Sequence, residues 1–134
     1  MARTIKAMIE QSSNGYSVYI DDDTLEYCLI GEGVTVKEAV DDFYLCYQDM
    51  HNCYKKEGKV FEEVEFDFYF DIASFLQKYA FAFTLAGLER ITGVNQKQLG
   101  HYINGVSKPS KRTILKIEDG LKKFSSELSS VRFA

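Results

Sequence analysis

Residues 85–124 read LAGLERITGVNQKQLGHYINGVSKPSKRTILKIEDGLKKF, and their hydrophobic spacing decides the fold of this part of the chain. Thr84 is a favourable N-cap for a first helix. The apolar residues of that helix are Leu85, Leu88 and Ile91. Gly93 supplies a tight turn, and Asn95 caps a second helix with Leu99 and Ile103 on one face. The pattern predicts two short helices joined by a glycine turn.

The second helix is predicted to turn only donor-rich side chains outward: Gln96, Lys97, Gln98, His101 and Asn104. Side chains of this kind reach base edges and phosphates. Asn104-Gly105 ends the helix, and Ser110 caps a third helix. The residues predicted to face inward from the third helix are Ile114, Ile117, Leu121 and Phe124. This arrangement predicts a helix-turn-helix unit that binds DNA.

The run resembles the phage-repressor-like (Xre, or Cro/CI-type) helix-turn-helix family, whose pattern is Gly-Val, a polar recognition helix, Asn-Gly and Lys-x-Pro-Ser. Glu89 departs from the family's usual small alanine, and Thr92 replaces a larger apolar residue. The resemblance implies that the base-reading residues are Gln96, Lys97 and His101. It implies that the residues contacting the DNA backbone are Asn95, Asn104, Ser107, Lys108, Lys111 and Arg112. Lys116 stays open between a DNA contact and a solvated helix face.

Charge divides the chain into two parts. Residues 1–83 hold 7 Lys and Arg against 16 Asp and Glu, a net of −9, whereas residues 84–124 hold 8 against 3, a net of +5. The last ten residues balance, which leaves −4 for the whole chain. The basic part is expected to face DNA. The acidic part is expected either to stay away from the duplex or to meet a basic partner.

The three cysteines, Cys28, Cys46 and Cys53, form no C-x-x-C pair, so neither a disulfide framework nor a zinc site is expected. Cys46, Cys53 and His51 lie together on a predicted helix, but a fourth ligand is missing, and buried thiols acting as small hydrophobes are the favoured interpretation. No signal peptide or apolar run of about 20 residues is present. We therefore predict a cytoplasmic protein without cofactor, metal or membrane segment.

The N-terminal part alternates between apolar and polar residues in several short runs. Strands are predicted at Thr4–Glu10, from Tyr16 to Ile20 after Asn14-Gly15, at about Glu26–Ile30, and over Val64–Phe70. A capping box, Thr35-Val36-Lys37-Glu38, opens a long helix that runs to Gly58. The predicted order is β-β-β-α-β. The apolar segment 72–82 is predicted to be a further helix that completes a core or forms a dimer seam.

This N-terminal module resembles the N-terminal domain of HicB-type antitoxins, a partial ribonuclease-H-like fold. The resemblance lies in Gly15-Tyr16 on the hairpin and in Gly33-Val34-Thr35-Val36-Lys37-Glu38-Ala39 at the helix start. It implies an α+β chain with an acidic partner-binding domain at 1–71 and an all-α helix-turn-helix domain at 72–134. It also implies a small basic ribonuclease toxin, HicA-like, as partner of the first domain and operator DNA as partner of the second.

Several functions remain as alternatives. The favoured one is an antitoxin that also represses its own operon, and the alternative is a free-standing phage- or mobile-element-type regulator without a toxin. A protein-interaction module that does not bind DNA is the third. A metal-dependent nuclease is disfavoured because Asp21, Asp22 and Asp23 are consecutive and point in different directions. Since operators read by this fold are two-fold symmetric, a homodimer or higher oligomer is expected, with a seam formed by Phe75, Leu76, Leu128 or Val131.

Overall fold

The computed structural model describes residues 2–134 and has a mixed α+β architecture with a four-stranded sheet and five helices. The chain divides into two compact units, with the division between Asp71 and Ile72. The elements of the first unit are β1 (Arg3–Ser12), β2 (Gly15–Ile20), β3 (Ile30–Gly33), α1 (Val36–Lys56) and β4 (Val64–Phe70). Those of the second are α2 (Ile72–Lys78), α3 (Leu85–Thr92), α4 (Gln96–Ile103) and α5 (Lys111–Ser130).

The sheet of the first unit has the strand order β3-β2-β1-β4. β1 and β2 form an antiparallel hairpin whose last pair is Ser12 and Gly15, and β3 adds antiparallel to β2. β4 lies parallel to β1, with Ile5 opposite Phe66. A parallel neighbour needs a long crossover connection, which α1 provides. The predicted order of elements, β-β-β-α-β, agrees with this topology.

The core of the first unit lies between the sheet and α1. Phe43 of α1 is fully buried, and its ring meets that of Phe66 edge-on at 4.8 Å. Edge-on aromatic pairs of this kind stabilise a core beyond the area that they bury. The other buried residues are Ile5, Ala7, Ile9, Val18, Leu25, Tyr27, Leu29, Ala39 and Val64. The alternation of each strand therefore places one apolar face against the helix.

The capping box forms at the start of α1. The Thr35 hydroxyl accepts a hydrogen bond from the Glu38 amide at 3.1 Å. The Glu38 carboxylate in turn accepts from the amide of Val34 at 3.0 Å. Two amide groups without helical partners are thereby satisfied.

The third strand was predicted at the wrong place. Residues 26–29 form no strand, and β3 covers Ile30–Gly33 instead. The alternation that suggested a strand is real, because Leu25, Tyr27 and Leu29 are all buried, but these residues pack into the core from a loop. A Cβ on Gly31 would lie 2.3 Å from the Phe43 amide nitrogen, so a glycine is needed where the backbone of β3 passes α1.

The second unit contains helices α2 to α5 around a separate core. Its buried apolar residues are Leu76, Leu88, Val94, Leu99, Tyr102 and Ile117. Two expectations were wrong here. The helix predicted over 72–82 ends at Lys78, and Ile114, predicted to face inward, is exposed, while Ile117 is fully buried. Ile114 lies in the first turn of α5, and the buried face of that helix is formed further along it.

Candidate nucleic-acid interface

The two caps at the turn between α3 and α4 fix where α4 begins. Gly93 ends α3 in the left-handed conformation with φ 76°, which glycine adopts without the strain that a Cβ causes. Val94 after it is buried, and the Asn95 side chain accepts a hydrogen bond from the Lys97 amide at 2.8 Å. Gly93 and Asn95 therefore have the local roles that the sequence predicts for them.

Three long side chains from neighbouring helices hold the backbone at the turn before α4 and at the two ends of α4. The Glu89 carboxylate of α3 accepts a hydrogen bond from the Gln96 amide at 2.8 Å. The Lys116 ammonium of α5 donates to the Gly93 carbonyl at 3.0 Å. At the other end, the Gln77 amide of α2 donates to the Ile103 carbonyl at 2.9 Å. The position of α4 is thus specified from three sides.

The departures from the family pattern have structural roles. Glu89 caps the start of α4, which an alanine could not do. The buried Thr92 donates its hydroxyl to the Leu88 carbonyl at 2.7 Å and accepts from the Val94 amide at 3.1 Å. A larger apolar side chain could form neither of these hydrogen bonds.

The structure brings most of the sequence-predicted site residues to the surface at and around α4. The exposed ones are Asn95, Gln96, Lys97, Asn104, Lys108, Lys111 and Arg112. His101 and Ser107 are half-buried, and so is Gln98, whose amide donates to the Ser107 hydroxyl at 3.3 Å. Tyr102 is buried in the core, which leaves it unable to read bases. The exposed side chains at the start of α4 are Gln96 and Lys97.

The first turns of α4 and α5 carry cations where stability alone favours anions. Lys97 lies in the first turn of α4, Lys111 and Arg112 begin α5, and neither first turn contains an acidic residue. The partial positive charge of a helix N-terminus repels cations. By contrast, α1 follows the stabilising pattern, with Glu38 in its first turn and lysines in its last. The N-terminus of α5 therefore concentrates positive charge, whereas at the start of α4 the Glu89 carboxylate offsets part of it.

These cations are not neutralised by the protein itself. Among residues 2–134, the side chains of Lys97, Lys108, Lys111 and Arg112 enter no ion pair. Further along α5, the lysines at 122 and 123 do pair with acidic residues one turn earlier. Unpaired, exposed cations beside amide-rich helix ends form a surface suited to phosphate groups.

Two residues that position this surface were not predicted from the sequence. A Cβ on Gly120 of α5 would lie 2.5 Å from the Ile91 carbonyl oxygen and 2.8 Å from the Thr92 Cα. The glycine therefore permits the close packing of α3 on α5. Glu89 was noticed only as a mismatch. Its contact spans seven residues and a turn, and no local sequence rule indicates it.

The first unit carries the opposite charge. Residues 1–71 hold 6 Lys and Arg against 16 Asp and Glu, a net of −10, whereas residues 72–134 hold 10 against 4, a net of +6. An ion pair joins Arg3 to Glu62 at 2.9 Å, and the hydrogen bond from Arg3 holds the pKa of the Glu62 carboxyl below its ordinary value. The charge contrast that the sequence analysis drew between residues 83 and 84 is therefore also present, and slightly larger, between the two units, which divide at residues 71 and 72.

The aspartates at 21–23 serve a surface turn. Asp22 accepts a hydrogen bond from the Thr24 amide at 2.8 Å, and its hydrogen bonds with Thr24 lower the pKa of its carboxyl. Asp21 lies 3.5 Å from the Lys6 ammonium. Across the described residues, no cluster of three or more His, Cys, Asp or Glu side chains is arranged to hold a metal ion.

The cysteines were expected to be buried, and this was wrong. Cys28 and Cys53 are exposed, and Cys46 is half-buried with its thiol donating to the Ile30 carbonyl at 3.2 Å. Burial raises the pKa of the Cys46 thiol. Cys53 lies near the solvated end of α1, which explains its exposure.

Comparison of the chain with protein-family models, curated proteins and solved structures found no match. A helix long and apolar enough to cross a bilayer does not occur within residues 2–134.

Proposed function

We propose that residues 72–134 form an Xre-type helix-turn-helix domain that binds operator DNA, with α4 as the recognition helix. In this proposal Gln96, Lys97 and His101 read base edges. The residues that contact the DNA backbone are Asn95, Asn104, Ser107, Lys108, Lys111 and Arg112. The protein acts as a homodimer or higher oligomer in the cytoplasm, and it is not an enzyme.

The observation that carries this proposal is the placement of unpaired cations at the N-termini of α4 and α5. Each cation in a first turn costs roughly 0.3–1 kcal/mol of helix stability. That cost is offset when a phosphate binds, because the helix dipole and the cation then both attract the anion. Stability alone gives no reason to place Lys111 and Arg112 at this end of α5.

The experiment separates base-reading residues from backbone contacts. A binding site is first selected from random duplexes, and Gln96→Ala and Arg112→Ala are then compared on it and on unrelated DNA. We expect Gln96→Ala to cost about 1–3 kcal/mol on the selected site and to relax the preference at one base pair. Arg112→Ala should weaken binding to both DNAs and lower the salt slope by about one. If both variants change only the salt slope, α4 touches the backbone alone and sequence-specific repression is ruled out.

We further propose that the first unit is a HicB-like, partial ribonuclease-H-like domain that neutralises a small basic HicA-like ribonuclease toxin. Its net charge of −10 supports a cationic partner, because opposite charges steer association and suppress wrong partners. The topology, three antiparallel strands, a crossover helix and a parallel strand, is compatible with this resemblance. The chain would then be an antitoxin that represses the operon that it shares with its toxin.

The alternative is a free-standing phage- or mobile-element-type transcriptional regulator without a toxin partner. Co-purification distinguishes the two functions. An antitoxin should co-purify with a small basic protein encoded beside it, and that protein should lose its ribonuclease activity in the complex. An adjacent basic protein that is bound through residues 72–134 would contradict the assignment of partner binding to the acidic unit.

A further inference from the structure

We infer that the C-terminal half of α5 and the groove beside it form the interface between two copies of this chain. The inference deepens the homodimer of the proposed function and rests on it for its biological role. The groove is apolar, has a volume of about 420 Å³ and lies within the second unit between α5 and the segment that includes α2. Its apolar lining is Phe75, Tyr79, Ala82, Phe83, Leu121, Phe124 and Leu128.

The apolar residues at this end of α5 have the spacing of one helix face. Leu121, Phe124 and Leu128 are separated by three and four residues, and Val131 follows as the C-cap, where the backbone is already extended. Spacings of three and four residues place side chains on the same face of a helix. The first two are half-buried, whereas Leu128 is 56% exposed and Val131 is 49% exposed. The apolar stripe therefore continues beyond the part that its own unit covers.

The lengths of the helices explain why the stripe is left open. α5 has 20 residues and spans about 30 Å, whereas α3, which packs on it, has 8 residues and spans about 12 Å. The close contact between them is at Gly120, near the middle of α5. Gly120 meets the last residues of α3, whereas Gly87 near the start of α3 lines a groove with Glu127, so α5 extends past α3 only from Leu128 onward.

Exposed apolar residues at the chain end provide the complementary part of the surface. Phe133 is 94% exposed and lies two residues after Val131. A groove and an exposed apolar chain end that both belong to one copy can each pack against the other copy across a two-fold axis. A second copy supplies both parts at once, with Val131 and Phe133 of each chain available to the groove of the other.

Charge also favours a second copy over a charged partner. The segment 117–134 holds three Lys and Arg and three Asp and Glu, a net of zero, within a unit of net +6. Two pairs within the helix, Lys122 with Glu118 and Lys123 with Asp119, already neutralise its flank. Two copies can therefore approach along this segment without like-charge repulsion, and it offers no net charge to select an acidic or basic partner.

The test compares Leu128→Asp with Leu115→Asp in the full chain. Leu115 lies on the same helix and is 55% exposed, but it lies outside the stripe and the groove, which makes it a matched control. We expect sedimentation analysis from about 1 to 100 µM to show a dimer for the wild type and for Leu115→Asp. Leu128→Asp should weaken self-association at least about a hundredfold, because two carboxylates would be buried in an apolar seam.

A second variant guards against an effect on folding. Phe133→Asp lies beyond the end of α5, where it leaves the helical core untouched, and we expect it to weaken the dimer at least about threefold. A wild type that stays monomeric at about 100 µM overturns the inference and assigns the groove to another occupant. So does an equal effect of Leu115→Asp and Leu128→Asp. A stable wild-type dimer that binds no duplex DNA would instead contradict the proposed function and leave this interface standing.

Discussion

Reversing the two charges that begin α5 should make the protein more stable and, if the proposed function holds, strongly weaken its binding to DNA. The variant is Lys111→Glu together with Arg112→Glu. Each cation now faces the positive end of the helix, and each glutamate would face it with the favourable sign. Each reversal removes an unfavourable interaction and adds a favourable one, and each interaction is worth about 0.3–1 kcal/mol in a first turn. Because solvent and salt screen exposed side chains, we expect the two reversals together to raise the free energy of unfolding by about 1–2 kcal/mol.

In the proposed complex with DNA, the same substitutions remove two phosphate contacts. A hydrogen bond to a charged group contributes about 1.5–3 kcal/mol, so the loss of two should weaken DNA binding at least about a hundredfold. The salt dependence should also decrease, by nearly two units in the slope of log K against log salt. Opposite signs for stability and binding are the distinctive expectation, since a merely damaged domain would lose both.

The matched control is Lys122→Glu with Lys123→Glu on the same helix. It changes the net charge by the same amount, but it breaks the pairs with Glu118 and Asp119, so we expect a small loss of stability. Urea unfolding followed by circular dichroism measures stability, and fluorescence anisotropy on the selected duplex measures affinity. Equal loss of DNA affinity in both double variants would show that only net charge matters and would refute the role of the α5 N-terminus.

The remaining predictions concern packing and pH. Gly120→Ala should destabilise the second unit by up to about 2 kcal/mol, because overpacking against the Ile91 backbone outweighs the gain of about 1 kcal/mol in helix propensity. Gly100→Ala, whose Cβ would meet a methyl group at an ordinary 3.6 Å, should instead stabilise it; hydrogen exchange in α3 and α4 measures both. Arg3→Met should raise the pKa of Glu62 towards its ordinary value of 4.5, as followed by carboxyl NMR. Because the pKa of Glu62 is lowered in the folded state, its interaction with Arg3 contributes fully to stability above pH 4.5. This contribution disappears as the pH falls through the folded pKa. The difference in stability between the variant and the wild type should disappear over the same pH range. An unchanged Glu62 titration would contradict the role of Arg3.

Local signals in the sequence were sufficient for the helix starts in both units. Thr35, Thr84, Asn95 and Ser110 all cap the helices that they were predicted to cap. A cap depends on one side chain and the next three residues, so it is visible in a short stretch of sequence. The same holds for the left-handed turn at Gly93.

Features that depend on distant partners could not be predicted in this way. Residues 26–29 alternate between apolar and polar side chains like a strand, yet they form no strand. The strand that pairs with β2 contains Gly31 and Gly33, which fit beside α1 where a Cβ would not. Ile114 matched the helical period of α5, but the period does not reveal how far the neighbouring helices reach along it. Gly120 signalled its role only by being a costly residue inside a helix.

Glu89 shows how a mismatch with a family pattern can be informative. A small residue at this position allows two helices to approach, so a glutamate suggests that the packing is disturbed. Its carboxylate instead reaches the Gln96 amide and replaces one missing hydrogen bond at the start of α4. The negative charge also compensates the helix dipole from outside the helix, which leaves the first turn of α4 itself free to carry Lys97. If α4 is the recognition helix, Glu89 on the packed helix α3 supplies the stabilising anion, and Lys97 on the exposed face of α4 stays available for DNA.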